Sequence, residues 1–167
     1  MKIENVVKKF DKNDIYLCPK CAAEAKIEGI SLICVGNHRY DFSKKGYIHL
    51  INNYKPTKYN EELFEARSTV FNNGFYGNVL DALGSLIEKY ARDRVLDIGC
   101  GEGYYIRKLK EKFPDKYFYG LDNSKDAIEL AVKEDKKNPY MIANLSNLPF
   151  RDNSVSCILN ILTPANY

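Results

Sequence analysis

The sequence lacks any apolar run of the roughly 20 residues that a membrane-spanning helix requires. Its lysine-bearing N-terminus also lacks the apolar core of a secretory signal, and no internal repeat or low-complexity tract is visible. Hydrophobic residues make up 45% and charged residues 28% of the 167 residues, a composition typical of globular proteins. We therefore expect a cytoplasmic protein without a membrane partner, built as one domain or as a small module plus part of a larger domain.

The chain has little net charge, but the charge is unevenly distributed. The formal net charge of +3 does not by itself indicate a nucleic-acid partner. Residues 1–58 hold 11 Lys/Arg against 6 Asp/Glu, whereas residues 59–167 hold 14 against 16. A basic first third can bind phosphate backbones. Lysines that only keep the protein soluble would give the same imbalance, so charge alone leaves RNA binding open.

The cysteines do not suggest disulfides. Their number is five, and an odd number without a secretion signal argues against a disulfide framework. Cys100 and Cys157 lie in apolar, strand-like segments, where a free thiol usually behaves as a small buried hydrophobe. The other three cysteines cluster in the basic first third of the chain, close to a histidine.

That cluster has the spacing of a zinc site. Cys18 and Cys21 form a CxxC pair, and twelve residues separate Cys21 from Cys34, which is followed after three more by His38. Three thiolates and one imidazole make a closed structural zinc site with no position left for water. Metal binding would stabilise a module too small to fold on its own core. The alternatives are buried cysteines without a metal, or a redox CxxC pair, which normally follows a thioredoxin-like strand.

Three regions follow from the sequence pattern. Residues 1–53 form a zinc-binding module, residues 54–93 a helical connector, and residues 94–167 an alternation of strands and helices. Strands are predicted at 31–35, 47–51, 94–100, 116–122, 140–145 and 154–162, and helices at 61–72, 79–90, 104–112 and 124–134. Strands alternating with helices predict βαβ units and a parallel sheet, hence an α/β fold. The last predicted strand would have one side unpaired, so we expect part of this domain to be missing.

A glycine-rich turn follows the first strand of the alternating region. Asp97 precedes Gly99, Gly101 and Gly103, and glycines at such a bend let the backbone approach a ligand closely. The GxGxG spacing beside a carboxylate favours S-adenosylmethionine, which carries an ammonium and a sulfonium but no phosphate. Asp122 ends the next strand, where it is placed to accept hydrogen bonds from both ribose hydroxyls. NAD binding and a purely structural turn are the alternatives.

Together, these segments resemble the bacterial 23S rRNA (guanine-N1)-methyltransferases. The resemblance rests on CPKC at 18–21, Cys34, HRYD at 38–41, KGYIHL at 45–50, EAR at 65–67, NGFY at 73–76, VLDIGCGEGYY at 95–105, GLD at 120–122, LPF at 148–150 and TPAN at 163–166. A zinc cluster followed by LDIGCGEGYY is a specific combination, although either half alone is common.

The resemblance implies a small N-terminal zinc-binding module followed by a partial Rossmann-like methyltransferase domain. Its cofactors would be structural Zn²⁺ and S-adenosyl-L-methionine, and its substrate a 23S rRNA hairpin, methylated at N1 of a guanine. By likeness to the family, Tyr76, Gly101 and Glu102 join the cofactor-binding residues. The full predicted set is Tyr76, Asp97, Gly99, Gly101, Glu102, Gly103 and Asp122. Because family members continue with three more strands, the chain resembles a C-terminally truncated member.

The sequence leaves the catalytic chemistry incomplete. Guanine N1 carries a proton and lies on the Watson–Crick edge, so the base must be unpaired and a base or a stabilised enolate is needed. The catalytic base is unknown. Asn160 and Asn166 are candidates to bind the guanine edge, although Asn160 also fits a structural role within its strand. His49 fits an ordinary packing residue better than a general base.

Residues near the zinc cluster are candidates for RNA contacts. Arg39, Lys44 and Lys45 could meet phosphates, and Tyr40 and Tyr47 could stack on unpaired bases. A solvated loop with core tyrosines explains the same residues equally well.

Three functions remain open. They are the rRNA methyltransferase, a related methyltransferase with a small-molecule or protein substrate, and a zinc- and RNA-binding fragment without activity. A homodimer is also left open, because the sequence does not reveal the oligomeric state.

Overall fold

The computed structural model describes residues 1–10, 14–55 and 61–163, which form two β-sheets and five helices. The strands are β1 (Tyr16–Leu17), β2 (Glu24–Glu28), β3 (Ser31–Cys34), β4 (Arg39–Asp41), β5 (Tyr47–His49), β6 (Arg94–Ile98), β7 (Tyr117–Asp122), β8 (Tyr140–Ile142) and β9 (Cys157–Asn160). The helices are α1 (Ile3–Val7), α2 (Glu61–Asn72), α3 (Gly77–Tyr90), α4 (Tyr104–Lys112) and α5 (Lys125–Glu134). No helix in the described part of the chain is long and apolar enough to cross a membrane.

The first sheet is antiparallel and has the strand order β1-β2-β3-β4. β2 and β3 form a hairpin in which Glu28 lies opposite Ser31 and Ala25 opposite Cys34. Its two-residue turn begins at Gly29, whose φ of 59° is accessible to glycine at little cost. This hairpin brings Cys34, at the end of β3, next to the turn between β1 and β2.

The second sheet is parallel and has the order β5-β8-β7-β6-β9. The central strand β6 pairs with β7 on one side and with β9 on the other, so that Leu96 lies between Tyr119 and Ile158. Because all five strands run in the same direction, their carboxyl ends meet at one edge, where sheets of this kind bind ligands. The predicted α/β fold with a parallel sheet is confirmed.

Strand β5 differs from the expected organisation. The sequence predicts a strand at 47–51 within the zinc-binding module, but Tyr47–His49 pairs with β8 as an outer strand of the parallel sheet. Tyr47 and Ile48 are both buried, and they pack into two different clusters on opposite faces of the sheet. A strand buried on both faces fits a parallel sheet covered on both sides. The proposed boundary at residue 53 therefore does not coincide with the division between the two sheets.

Helices cover one face of the parallel sheet. Ile87 of α3, Leu109 of α4 and Ile128 of α5 are fully buried in one cluster with Val95 and Phe118 of the sheet. These helices carry apolar residues on one side, as the sequence periodicity predicts.

The predicted zinc-binding module covers the opposite face. Leu96, Leu121 and Met141 of the sheet are buried in the same cluster as Phe10 and Phe42 of the module. The two sheets thus share one hydrophobic core, and neither buries its apolar face without the other.

The connection from β8 to β9, residues 143–156, contains no helix and runs along the module. The amide of Leu17 donates to the carbonyl of Pro149 at 3.1 Å, and the amide of Arg151 donates to the carbonyl of Ile15 at 2.9 Å. The module therefore occupies the face that a crossover helix would cover in a doubly wound sheet.

Phe150 provides a test of the shared core. Its ring lies 5.7 Å from that of Tyr16 in the module and 5.5 Å from that of Tyr119 in β7, measured between centroids. Phe150→Ala should lower the free energy of unfolding in urea by about 3–5 kcal/mol, because it leaves a cavity where module and sheet meet.

The matched control is Phe75→Ala, since Phe75 is 75% exposed. That substitution should change the free energy of unfolding by about 0.5 kcal/mol or less. Equal effects of the two substitutions would show that the module does not pack on the sheet as described.

Candidate metal centre and cofactor site

The four predicted zinc ligands converge at one end of the antiparallel sheet. Cys18 and Cys21 lie in the turn between β1 and β2, Cys34 ends β3, and His38 precedes β4. Their three sulfurs and one imidazole nitrogen all lie within 4.8 Å of one another. The structure thus brings together residues that are up to 20 positions apart in the sequence.

The spacing of these atoms fits a tetrahedral zinc ion. The Sγ atoms of Cys21 and Cys34 are 3.8 Å apart, and Nδ1 of His38 lies 3.5 Å from Sγ of Cys18 and 3.4 Å from Sγ of Cys34. Zn–S bonds of about 2.3 Å and Zn–N bonds of about 2.0–2.1 Å at tetrahedral angles place two sulfurs about 3.8 Å apart and a sulfur and a nitrogen about 3.6 Å apart. Four protein ligands would close the coordination shell, so the zinc ion is structural.

Two tight turns hold these ligands. Ala22 and Asn37 adopt left-handed backbone conformations, with φ of 56° and 58°. The amide of Cys18 donates to the carbonyl of Ala23 at 2.8 Å, and the amide of Cys34 donates to the carbonyl of His38 at 3.1 Å. The backbone therefore fixes the ligand positions around the site.

Cys18 is chemically suited to bind a cation. Burial raises the pKa of its thiol, but hydrogen bonds from the backbone of Lys20 and Cys21 outweigh burial and lower the pKa to about 6. The thiolate, which is the metal-binding form, therefore predominates at neutral pH.

The glycine-rich turn lies at the carboxyl edge of the parallel sheet. Gly99, Gly101 and Gly103 have φ of 72°, 56° and 75°. A β-carbon on Gly99 would lie 2.1 Å from Oγ1 of Thr163, and one on Gly103 would lie 2.5 Å from the hydroxyl of Tyr140. Both the backbone conformation and the space therefore require glycine at these two positions.

Asp122 ends β7 beside this turn. One carboxylate oxygen accepts a hydrogen bond from the amide of Gly101 at 2.9 Å, and the other accepts one from the amide of Ser124 at 2.8 Å. Burial raises the pKa of this carboxyl, while the hydrogen bonds from the two amides oppose that shift. The side chain is thus held in one orientation, with its remaining lone pairs available to a ligand.

Two further carboxyls, those of Asp97 and Glu102, are buried near the turn. Oδ2 of Asp97 and both carboxylate oxygens of Glu102 have no hydrogen-bond partner within the described ranges. Burial, together with the charges of Asp122 and Glu102, raises the pKa of Asp97 to about 8, and burial also raises the pKa of Glu102. Buried acceptors without partners are costly, so a ligand that donates hydrogen bonds and carries positive charge would stabilise this arrangement.

A cavity of about 430 Å³ opens at this edge. Its lining consists of Leu63, Phe64, Arg67, Gly99, Leu121, Asp122, Asn123, Leu145, Leu162 and Thr163. Of the predicted cofactor residues, Gly99 and Asp122 line the cavity directly. Phe64 and Arg67 were not predicted as site residues, because only tertiary packing brings α2 to the turn. Thr163 follows β9, which is parallel to β6 and adjacent to it, so this residue reaches the same edge of the sheet.

Tyr76 is held by ring contacts with neighbouring aromatic residues. Its ring packs 4.9 Å from that of Phe71 and 5.1 Å from that of Phe75, just before α3 begins. It does not line the cavity, so its role as a cofactor contact stays a prediction.

The other candidate residues are dispersed. Asn160 ends β9 and is exposed, whereas Asn166 lies outside the described residues. His49 is half-buried, with its ring 5.2 Å from that of Tyr54, which fits the packing role expected for it. Cys100 is buried, and Cys157 is partly buried.

The candidate RNA contacts near the zinc cluster are partly engaged within the protein. Arg39 pairs with Asp41 at 2.9 Å, and Lys45 pairs with Glu129 at 2.7 Å. Tyr40 and Tyr47 are buried, which favours the interpretation as core tyrosines over stacking on bases. Lys44 is exposed.

Family models match both parts of the chain. The model described as "RlmA, N-terminal", a zinc ribbon, matches residues 16–55, and the model described as "Methyltransferase domain" matches residues 95–166. These matches agree with the metal cluster and with the parallel sheet, respectively.

Curated relatives carry both parts together. YxjB of Bacillus subtilis (strain 168), which is named for 23S rRNA (guanine-N(1)-)-methyltransferase activity, is 34% identical over 163 residues, covering 92% of this chain and 58% of its own length. The 23S rRNA (guanine(748)-N(1))-methyltransferase of Streptomyces fradiae is 29% identical over 157 residues, covering 89% of this chain and 55% of its own length. The chain thus spans a little over half the length of these relatives.

A solved structure shares the fold. An S-adenosyl-L-methionine-dependent methyltransferase of Methanococcus maripaludis superposes with a TM-score of 0.53 at 18% identity, covering 66% of this chain and 53% of that one. At this identity the likeness concerns the fold alone.

The metal centre yields a direct prediction. The purified protein should contain one zinc per chain by elemental analysis, and Cys34→Ser should lower its zinc affinity by more than about 100-fold, since loss of a ligand costs more than loss of an outer-shell partner. Cys157→Ser is the matched control, because Cys157 lies in β9 outside the ligand cluster. Zinc retained at full affinity by the Cys34 variant would contradict the assignment.

Proposed function

The chain belongs to the family of zinc-binding 23S rRNA (guanine-N1)-methyltransferases, and we propose that it transfers a methyl group from S-adenosylmethionine to N1 of a guanine in a 23S rRNA hairpin. The observation that carries this proposal is the combination of a zinc ribbon with a glycine turn flanked by buried carboxyls. Because the chain spans 58% and 55% of the two relatives, the activity of the whole protein is a proposal.

S-adenosylmethionine fits the chemistry of the cavity. Its ammonium would donate hydrogen bonds to the carboxyls of Asp97 and Glu102, which are buried near the glycine turn and do not line the cavity itself. Oδ2 of Asp97 and both carboxylate oxygens of Glu102 have no hydrogen-bond partner within the described residues. Its ribose hydroxyls would donate to the carboxylate of Asp122, which the amides of Gly101 and Ser124 hold in place. A cavity of about 430 Å³ is within the usual range for small-molecule sites.

Positioning is the main contribution that this chain's residues would make. When bound, the cofactor supplies an electrophilic methyl group on its sulfonium, and transfer to nitrogen requires the two reacting atoms in line. The glycine turn would hold the cofactor at the carboxyl edge of the sheet. Asn160, exposed at the end of β9 on the same edge, is proposed to bind the Watson–Crick edge of an unpaired guanine.

The remaining assignments are proposals of the same kind. We propose Tyr76, Gly99 and Gly103 as further cofactor-binding residues. Residues 1–53, 54–93 and 94–167 are proposed as the zinc-binding module, the connector and the methyltransferase part, with β5 supplied by the module to the parallel sheet. An enzyme that modifies rRNA would act in the cytoplasm.

A homodimer stays a prediction, and light scattering would measure the oligomeric state.

Methylation of guanine N1 can be read from reverse transcription, because a methyl group there blocks Watson–Crick pairing. Incubation of unmodified 23S rRNA with the protein and S-adenosylmethionine should create a reverse-transcription stop at one guanine. Gly99→Ala should abolish the stop, since its β-carbon would lie 2.1 Å from Oγ1 of Thr163. Cofactor binding without RNA methylation would favour a methyltransferase with another substrate.

Because the pKa of Asp97 is raised, we expect the affinity for the cofactor to depend on pH. Burial raises this pKa to about 8, so the ligand-free protein keeps this carboxyl mostly protonated at neutral pH. An ammonium binds the ionised form, so the affinity should increase as pH rises from 6 to 8, by up to about 50-fold, and then level off. Calorimetry with S-adenosylhomocysteine, whose amine stays protonated in this range, measures the change.

Asp97→Asn is the matched variant for this titration. Its side chain cannot ionise, so its weaker affinity should increase less between pH 6 and 8 than that of the unsubstituted protein, and any remaining increase would come from Glu102, whose pKa is also raised. A pH-independent affinity in the unsubstituted protein would contradict the assigned role of Asp97.

A further inference from the structure

Arg67 is a charged residue that lines the cavity, and it has no role in the function proposed above. It lies on α2, and its side chain lines the same cavity as Gly99 and Asp122. Both terminal nitrogens of its guanidinium are 3.7 Å from the position that a β-carbon on Gly101 would take. The guanidinium therefore faces the glycine turn at close range.

Two phenylalanine rings hold this guanidinium in place. Its central carbon lies 5.7 Å from the ring centroid of Phe64 and 5.4 Å from that of Phe71, distances typical of cation–π contacts. Both rings are almost completely buried, with 2% and 3% of their surface exposed. Packing against these rings thus restricts the orientation of the Arg67 side chain within the cavity.

Within the part of the chain that the structure describes, the N–H donors of Arg67 have no acceptor. Among the side chains that the structure describes, Arg67 makes these two ring contacts but no hydrogen bond and no ion pair. A guanidinium has five N–H donors in a planar fork that matches a carboxylate. An oriented fork without an acceptor, inside a ligand-sized cavity, is suited to a carboxylate from a ligand.

The surrounding charges narrow the kind of ligand. Burial raises the pKa values of the Glu102 and Asp122 carboxyls, and the positive charge of Arg67 opposes part of that increase. Arg67 therefore lies beside two buried acidic groups, which would repel an RNA backbone with its many phosphates. A ligand that presents one carboxylate next to one ammonium suits this mixture of charges.

We propose that Arg67 binds the carboxylate of the amino acid part of S-adenosylmethionine, while Asp97 and Glu102 bind its ammonium. Arg67 would then select cofactors that carry an intact α-amino acid group. This inference rests on the proposed function, because it assigns one more binding residue to the same cofactor.

Decarboxylated S-adenosylmethionine, which lacks only the carboxylate, provides the test. The unsubstituted protein should bind S-adenosylmethionine at least about tenfold more tightly than the decarboxylated form in calorimetric titrations, as expected for a charge-assisted hydrogen-bond pair. Arg67→Gln should lose this preference: its affinity for S-adenosylmethionine falls by about tenfold or more, and its affinity for the decarboxylated form changes less than about twofold.

Two variants complete the experiment. Arg67→Lys keeps the charge without the fork and should retain part of the preference. Arg92→Gln removes an arginine that is exposed and outside the cavity lining, and should leave both affinities unchanged.

Each outcome bears on a different claim. If Arg67→Gln weakens both ligands equally, Arg67 only stabilises the fold and the inference is wrong, while the proposed function stands. If the unsubstituted protein binds neither ligand, the proposed cofactor and this inference fail together.

Discussion

The hydrophobic core shared by the two sheets is the constraint on which the rest of the structure depends. One face of the parallel sheet packs on helices, and the other packs on the module that the zinc ligands organise. The antiparallel sheet has strands of only two to five residues, too short to bury a core of their own. Metal binding therefore stabilises the parallel sheet as well as the module, because the module covers one apolar face of the sheet whose carboxyl edge carries the cofactor site.

The conformation of the glycine-rich turn also depends on this core. Asp97 and Asp122 lie on the neighbouring strands β6 and β7, which the core holds in register. At this edge the protein keeps three carboxyls close together with raised pKa values, an arrangement that costs stability in the absence of a cationic ligand. Such a cost is typical of a functional site and is hard to explain for a turn with a purely structural role.

Much of this could be predicted from the sequence. The zinc ligands were identifiable because their spacing reflects local turns, and Asp97 and Asp122 because the carboxyl ends of adjacent parallel strands must meet. The pairing of β5 with β8 could not be predicted, since a three-residue strand carries no signal for a partner about 90 positions away. Arg67 was missed as a site residue for a related reason: only the packing of α2 places it over the glycine turn. The burial of Tyr40 and Tyr47 likewise depends on tertiary contacts that their local sequence does not specify.

Hydrogen–deuterium exchange with and without zinc tests the central claim, that the metal-organised module and the parallel sheet are one structural unit. We predict that removing zinc accelerates exchange in the module and also in peptides covering β6 and β7, whose Leu96 and Leu121 pack against the module. Faster exchange confined to the module, with β6 and β7 unchanged, would contradict the account and show that the sheet stands without the module.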